Sequence, residues 1–210
     1  MLDLLIQNVK GLLLQPVETF ENLKTSSLTD SYQHYVILLI IYTVLMGIVS
    51  MITTLMSYYD MLVHVASIPL IGSFMIAKIE LFKPIFINWS FIIVYILFLF
   101  LLFGIFFKGF FLHVFVILFG GEQGVTKTIQ VLMYATTPFF LLGWIPYISI
   151  IGLIWAVVLC VIGFQKFQNI PVWKAGAIII VPTIFLIIGV FLTLMMRGAI
   201  ISVLSGVLAV

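Results

Sequence analysis

Five stretches of this chain are apolar, nearly free of charge and long enough as helices to match a bilayer: residues 35–57, 88–108 or beyond, 127–145, 147–166 and 175–196. A helix needs about 20 apolar residues to cross about 30 Å of hydrocarbon. None of the nine Lys and Arg or seven Asp and Glu residues falls in the central part of a run. The fifth run holds thirteen Ile, Leu, Val and Phe between residues 177 and 196, worth roughly −4 to −8 kcal/mol toward insertion. Pro182 lies near its start, where neighbours or water can re-satisfy the freed backbone. The chain is 64% apolar and 8% charged, against about 45–50% and 25% in soluble domains. That balance excludes a soluble enzyme and a disordered tail, and the scattered basic residues exclude a nucleic-acid binder. The expected fold is an all-α integral membrane protein with five transmembrane helices and an N-terminal interfacial amphipathic helix. Its expected divisions are an N-terminal segment 1–30, a five-span domain 31–198 and an apolar tail 199–210.

The flanks carry the remaining organisation. Residues 1–14 place Leu2, Leu5, Ile6, Val9 and Leu13 on one helical face, with Asp3, Gln7 and Lys10 opposite, the spacing of a helix lying in the headgroup region. A second short helix is expected to start at Pro16, with Val17, Phe20 and Leu23 on its apolar side. Residues 58–87 mix Asp60, Lys78, Glu80 and Lys83 with Pro69 and Pro84, which suggests short interfacial or re-entrant helices. The second run extends to Phe119, far enough to project into the aqueous edge, tilt, or bend near Gly104 and Gly109. The turn Trp144-Ile145-Pro146-Tyr147 predicts a tight hairpin between the third and fourth runs. Counting alternate loops puts Lys10, Lys24, Lys108, Lys127, Lys166 and Lys174 on the N-terminal side, against Lys78, Lys83 and Arg197. Basic residues favour the cytoplasm, so the N-terminus is expected there and the C-terminus outside.

Residues with catalytic potential are few. His34, His64 and His113 have no metal-ligand spacing, and the single cysteine, Cys160, lies in an apolar run. His113 is expected to pack as a neutral polar group. Paired intramembrane aspartates, a His-Glu-His arrangement and a serine beside a base are all missing, so neither enzymatic activity nor a metal or cofactor is expected. Gly120-Gly121-Glu122-Gln123-Gly124 marks a sharp reversal, since glycine permits positive φ. Gly152, Ala156 and Cys160 form a small-residue ridge that lets helices approach closely, with Trp155 beside it as a packing wedge. Tyr134 and Pro138 mark a kink whose freed carbonyl the phenol, Thr136 or Thr137 can help satisfy.

Across about residues 15–190 the order Pro16-x-x-x-Phe20, Gly109-x-x-x-His113, Gly120-Gly121, Tyr134-x-x-x-Pro138, Pro146, Gly152-x-x-Trp155, Gly163 and Lys174-Ala175 resembles the Yip family. These are multi-span membrane proteins named for interaction with Ypt/Rab GTPases. The resemblance implies a cytosolic N-terminus and an extracytosolic C-terminus. Only about thirty residues precede the first span, and the Asp-Leu-Tyr-Gly-Pro-like motif of eukaryotic members is missing, so the chain looks like a compact prokaryotic member of a cell membrane. The expected function is a non-enzymatic scaffold or adaptor that organises partners or the bilayer, trafficking-like by resemblance. The alternative is passive passage or scrambling of lipid or small solute. Membrane lipids are expected partners. A protein partner on the cytoplasmic face and a homo-oligomer both stay open. The expected interaction surface gathers Lys10, Lys24, Lys108, Glu122, Lys127 and Lys166.

Overall fold

The computed structural model describes residues 2–69 and 72–208, and the side chains of these except 73, 77, 82 and 198–208. The described residues form eight helices and no strand: α1 (Leu2–Leu14), α2 (Pro16–Leu23), α3 (Leu28–Ala66), α4 (Gly72–Leu118), α5 (Gly124–Ala135), α6 (Thr137–Leu142), α7 (Ser149–Gln168) and α8 (Val172–Leu208). Four of them, α3, α4, α7 and α8, are long and apolar enough to cross a membrane. The third expected run is instead divided between α5 and α6, neither of which is long enough alone.

The division has a local cause. Pro138 has no N–H to donate to the Tyr134 carbonyl one turn earlier, so a continuous helix would leave that carbonyl unpaired. The Thr137 hydroxyl donates to it instead, at 2.7 Å. Gly143 and the residues after it then turn the chain into α7, where Trp144 Nε1 donates to the Leu141 carbonyl at 2.8 Å and Tyr147 takes a positive φ of 66°. The hairpin expected at this turn is present.

Residues 58–87 are corrected. Among the described residues no separate short interfacial or re-entrant helix forms there; α3 runs on to Ala66, and α4 starts at Gly72 and passes through Pro84. Positions 70 and 71, within the same expectation, lie outside the described residues. The two helices are about 58 Å and 70 Å long and pair as an antiparallel hairpin. Thr54 and Ser90 share a hydrogen bond of 2.7 Å across it, and Lys83 Nζ donates to the Tyr59 hydroxyl at 3.2 Å. Tyr42 reaches the α6–α7 turn at Gly143, so about 36 Å of α3 continues past the α5–α7 bundle. Pro84 lies inside α4, Asp60, Lys78 and Glu80 are exposed, and half-buried Lys83 is held over the Tyr58 and Tyr59 rings.

Three further segments take definite form. The second run stays one unbroken helix through Gly104 and Gly109 and exposes Phe110, Phe111, Val114, Ile117 and Leu118 to its end. The apolar tail expected at 199–210 continues α8 as helix to Leu208; residues 209 and 210 lie outside the description. In α1 the buried residues are Leu5 and Leu12, with Val9 packed against them, whereas Leu2 and Ile6 are exposed. Gly11 of α1 lies against Thr19 of α2, while Leu5 and Leu12 join the main core of the bundle, so the inward face follows packing on the bundle rather than the lipid-facing stripe.

The core lies between α2, α3, α4, α5 and α7. Every residue of α5 from Thr128 to Ala135 is buried. Close approach depends on glycine at three crossings. A Cβ on Gly109 would collide with Ile129 of α5, one on Gly152 would stand 2.8 Å from the Pro138 carbonyl oxygen, and one on Gly163 would stand 3.0 Å from Phe20. Tyr35, Tyr42, Phe139 and Phe140 fill the other end with ring centroids 5.3–5.5 Å apart.

Candidate functional site

One end of the bundle is assembled by residues far apart in sequence. Pro16 opens α2 at a position where its missing N–H has no helical partner to lose. Four residues later Phe20 is fully buried, edge-on to Phe167 at 6.0 Å and against Gly163. Glu21 bridges Lys24 at 2.8 Å and Lys166 of α7 at 3.3 Å. These hydrogen bonds hold the Glu21 carboxyl below its ordinary value of 4.5. Lys24 also donates to Asn169 Oδ1 at 3.4 Å, and its carbonyl accepts from Lys127 of α5. Lys127 in turn lies over the Phe167 ring.

The glycine loop closes the same end. Gly120 takes a φ of 86°, and Gly121 N–H donates to the Val116 carbonyl at 2.8 Å while Gly120 N–H donates to Ile117 at 3.0 Å. This is the left-handed cap that ends a helix on glycine. Gln168, buried at the end of α7, then reads the loop with both ends of its amide. Its Oε1 accepts from Gln123 N–H at 3.0 Å, and its Nε2 donates to Thr128 Oγ1 at 3.2 Å. Thr128 completes the chain to His113 Nδ1 at 2.9 Å.

A second polar chain runs down from α2 to the α5–α6 break. Gln130 Nε2 donates to the Ser26 carbonyl at 2.9 Å, and the Tyr134 hydroxyl donates to Ser26 Oγ at 3.2 Å. The His34 ring lies tilted against Tyr134 at 5.1 Å, and its Nε2 lies 2.9 Å from Thr137 Oγ1. Thr137 spends its proton on the Tyr134 carbonyl, so His34 Nε2 must be the donor. Ser27 and Asp30 start α3 above this point with a reciprocal capping box.

Most of the expected residues therefore meet. Pro16, Phe20, Gly109, His113, Gly120, Gly121, Tyr134, Gly163, Lys174 and Ala175 lie on the contacts among α2, α4, α5, α7 and the start of α8. Ala175 is fully buried, and Lys174 Nζ is 3.4 Å from where a Gly120 Cβ would stand. Pro138 and Gly152 meet each other one layer below, with Trp155 half-buried nearby, and Pro146 is at the far turn. Of the expected surface, Lys24, Lys127, Lys166 and exposed Glu122 share the basic end, and Lys10 lines a cleft between α1 and α2. Lys108 does not join them. It is ten residues before Leu118, about 15 Å down α4.

Ser26, Thr128, Gln130 and Gln168 are missing from the expected set, although they take part in about half of the long-range side-chain hydrogen bonds. Two amides in otherwise apolar helices were the available signal, because a buried amide demands partners. Among the described residues no group of three or more His, Cys, Asp or Glu could hold a metal. The geometry fixes helix ends and crossings, and the two hydroxyls that touch imidazoles, Thr128 on His113 and Thr137 on His34, belong to these polar chains. No curated protein and no solved structure matches the chain. A family model described as the Yip1 domain matches residues 10–195, from α1 through most of α8. Most of the chain is covered, and the protein belongs to the Yip1 domain family.

Proposed function

We propose that the protein is a non-enzymatic multi-pass membrane scaffold whose basic end organises protein partners or the bilayer. The observation that carries this is the joining of α2, the Gly120–Gly124 loop and the α7–α8 connection into one braced platform by Phe20, Glu21 and Gln168. Around it stand Lys24, Lys127, Lys166 and Lys174, and a basic group near an anionic leaflet is worth about 1 kcal/mol. Counting α5 and α6 together as one broken crossing gives five, with the N-terminus in the cytoplasm and the C-terminus outside a prokaryotic cell membrane. Together α5 and α6 cover about 28 Å along their axis, which supports that count. Neither the fold nor the family match favours passage of lipid or solute.

Compartment-sensitive reporters after Lys24 and after Arg197 test the topology; both in one compartment would refute the odd count. Crosslinking in native membranes tests the platform. Charge reversal at Glu122 and Lys174, which leaves the Glu21 bridges intact, is expected to abolish the crosslinked partner while melting stays unchanged. An undiminished crosslink would place the working surface elsewhere.

A further inference from the structure

Where α3 runs on past the bundle, its polar residues are confined to one face. Ser50, Thr53, Ser57, Asp60 and His64 recur at alternating steps of three and four, the 3.5-residue period of a helix–helix seam. Ser50 is half-buried and the other four are exposed. At the same heights the neighbouring face exposes Ile48, Ile52, Met56, Tyr59 and Val63. The third face turns to α4, through the Thr54–Ser90 hydrogen bond and the Tyr58–Phe86 ring contact at 6.1 Å. Water at the tip of the hairpin does not account for the seam, because the apolar face beside it occupies the same turns.

A groove of about 340 Å³ flanks the seam, walled by Thr53, Thr54, Ser57, Tyr58 and Met61 of α3 and Phe86 of α4. Tyr58 is 4% exposed, and its hydroxyl has no hydrogen-bond partner among the described residues. Buried polar groups ordinarily have one. Thr53 Oγ1 donates to the carbonyls of its own helix at 3.0 Å, which leaves its lone pairs able to accept. Among the described residues Asp60 forms no salt bridge. His64 Nδ1 donates to the Asp60 carbonyl at 2.7 Å, so its Nε2 is left for a group beyond its own helix.

We propose that this face joins two copies of the chain side by side, α3 against α3, about a two-fold axis along the helices. Lipid tails supply neither donor nor acceptor, whereas a second copy supplies both from the same seam. Hydroxyls at positions 53 and 57 donate and accept in either direction. The Asp60 carboxylate of one copy faces His64 of the other, whose imidazole can take the counter-charge. Two copies in one membrane run parallel, so equal heights meet, as a self-complementary two-fold contact requires. The small side chains at 50, 53 and 57 let the backbones approach. A copy seated there also brings hydroxyls to the groove in which Tyr58 lacks a partner. The seam is past the α6–α7 turn, at the opposite end from the basic platform, and does not depend on the role of that platform.

The test is oxidative crosslinking of single cysteines in the full chain in native membranes, in a Cys160→Ala background. Thr53→Cys and Ser57→Cys should each give a band of twice the chain mass, because side chains facing each other across a two-fold seam come within disulfide reach. Ile52→Cys and Met56→Cys, on the apolar face, should stay monomeric. Native mass spectrometry in mild detergent should show a dimer. The double variant Thr53→Leu, Ser57→Leu should return it to monomer with its helical content intact, since both side chains are exposed in the single chain, and Lys174→Gln at the platform should leave the dimer unchanged. Equal crosslinking on the two faces, or a monomeric wild type, would overturn the seam. So would a dimer undiminished in the double leucine variant, or a crosslinked band of another mass, which would make the partner a different protein.

Discussion

Replacing Gly152 by alanine tests a close helix crossing with a single methyl group. On α7 the new Cβ would lie 2.8 Å from the Pro138 carbonyl oxygen, 3.1 Å from Leu142 Cβ and 3.3 Å from Phe139 Cα. The first of these is about 0.6 Å inside ordinary contact, and two of the three atoms are backbone, which cannot swing aside as a side chain can. The turn of six residues between α6 and α7 leaves little freedom to separate the helices. Overpacking of this kind costs about 1–3 kcal/mol. At roughly 2–4 °C per kcal/mol for a chain of this size, the melting temperature should fall by about 2–12 °C. Gly189→Ala is the control, since a methyl there meets nothing within 4 Å, and its gain in helix propensity should leave melting equal or slightly raised. Size-exclusion thermal melting in one detergent compares the two. Identical melting of both variants would mean that α6 and α7 do not pack as described, and the close-approach role of the small-residue ridge would be lost.

Thr137→Val should cost about 1–3 kcal/mol, because it strips the donor from the buried Tyr134 carbonyl and the acceptor from His34, whereas Thr137→Ser should melt near the wild type. Deletion of residues 2–14 should lower the melting temperature, since Leu5 and Leu12 are buried and each such side chain contributes about 1.5–3 kcal/mol; unchanged melting would make α1 a purely lipid-facing element. For Glu21 the folded carboxyl titrates below 4.5, so its contribution is complete above that pH and disappears as pH falls through the lower folded value. The melting difference between wild type and Glu21→Gln should accordingly be constant near neutrality and close in acid, and a difference that grew in acid would contradict the Lys24 and Lys166 bridges. Gly121→Ala should also destabilise, through collision with Val116 and Gln168 Oε1, and hydrogen exchange should then rise at Gln123, whose amide Gln168 holds.

Hydropathy and spacing by themselves determined that this is a helical membrane chain, where its apolar runs lie, and that α2 begins at Pro16. Both are local matters: apolar length decides partition into lipid, and proline's missing N–H decides where a helix starts or breaks. The Gly120-Gly121 cap and the Tyr134–Pro138 break were legible for the same reason, since backbone geometry there depends on residues within one turn. Tertiary structure decided the rest. Leu12 rather than Leu2 or Ile6 is buried because α1 packs into the core of the bundle, which periodicity within thirteen residues does not contain. The long α3–α4 hairpin replaced the short segments expected at 58–87 because pairing between the two helices outweighs scattered charge and Pro84. Gln130 and Gln168 became the central polar links only once Ser26 and Gln123 were brought to them across more than forty residues. A buried amide is defined by its partners, and in lipid those partners come only from another part of the chain.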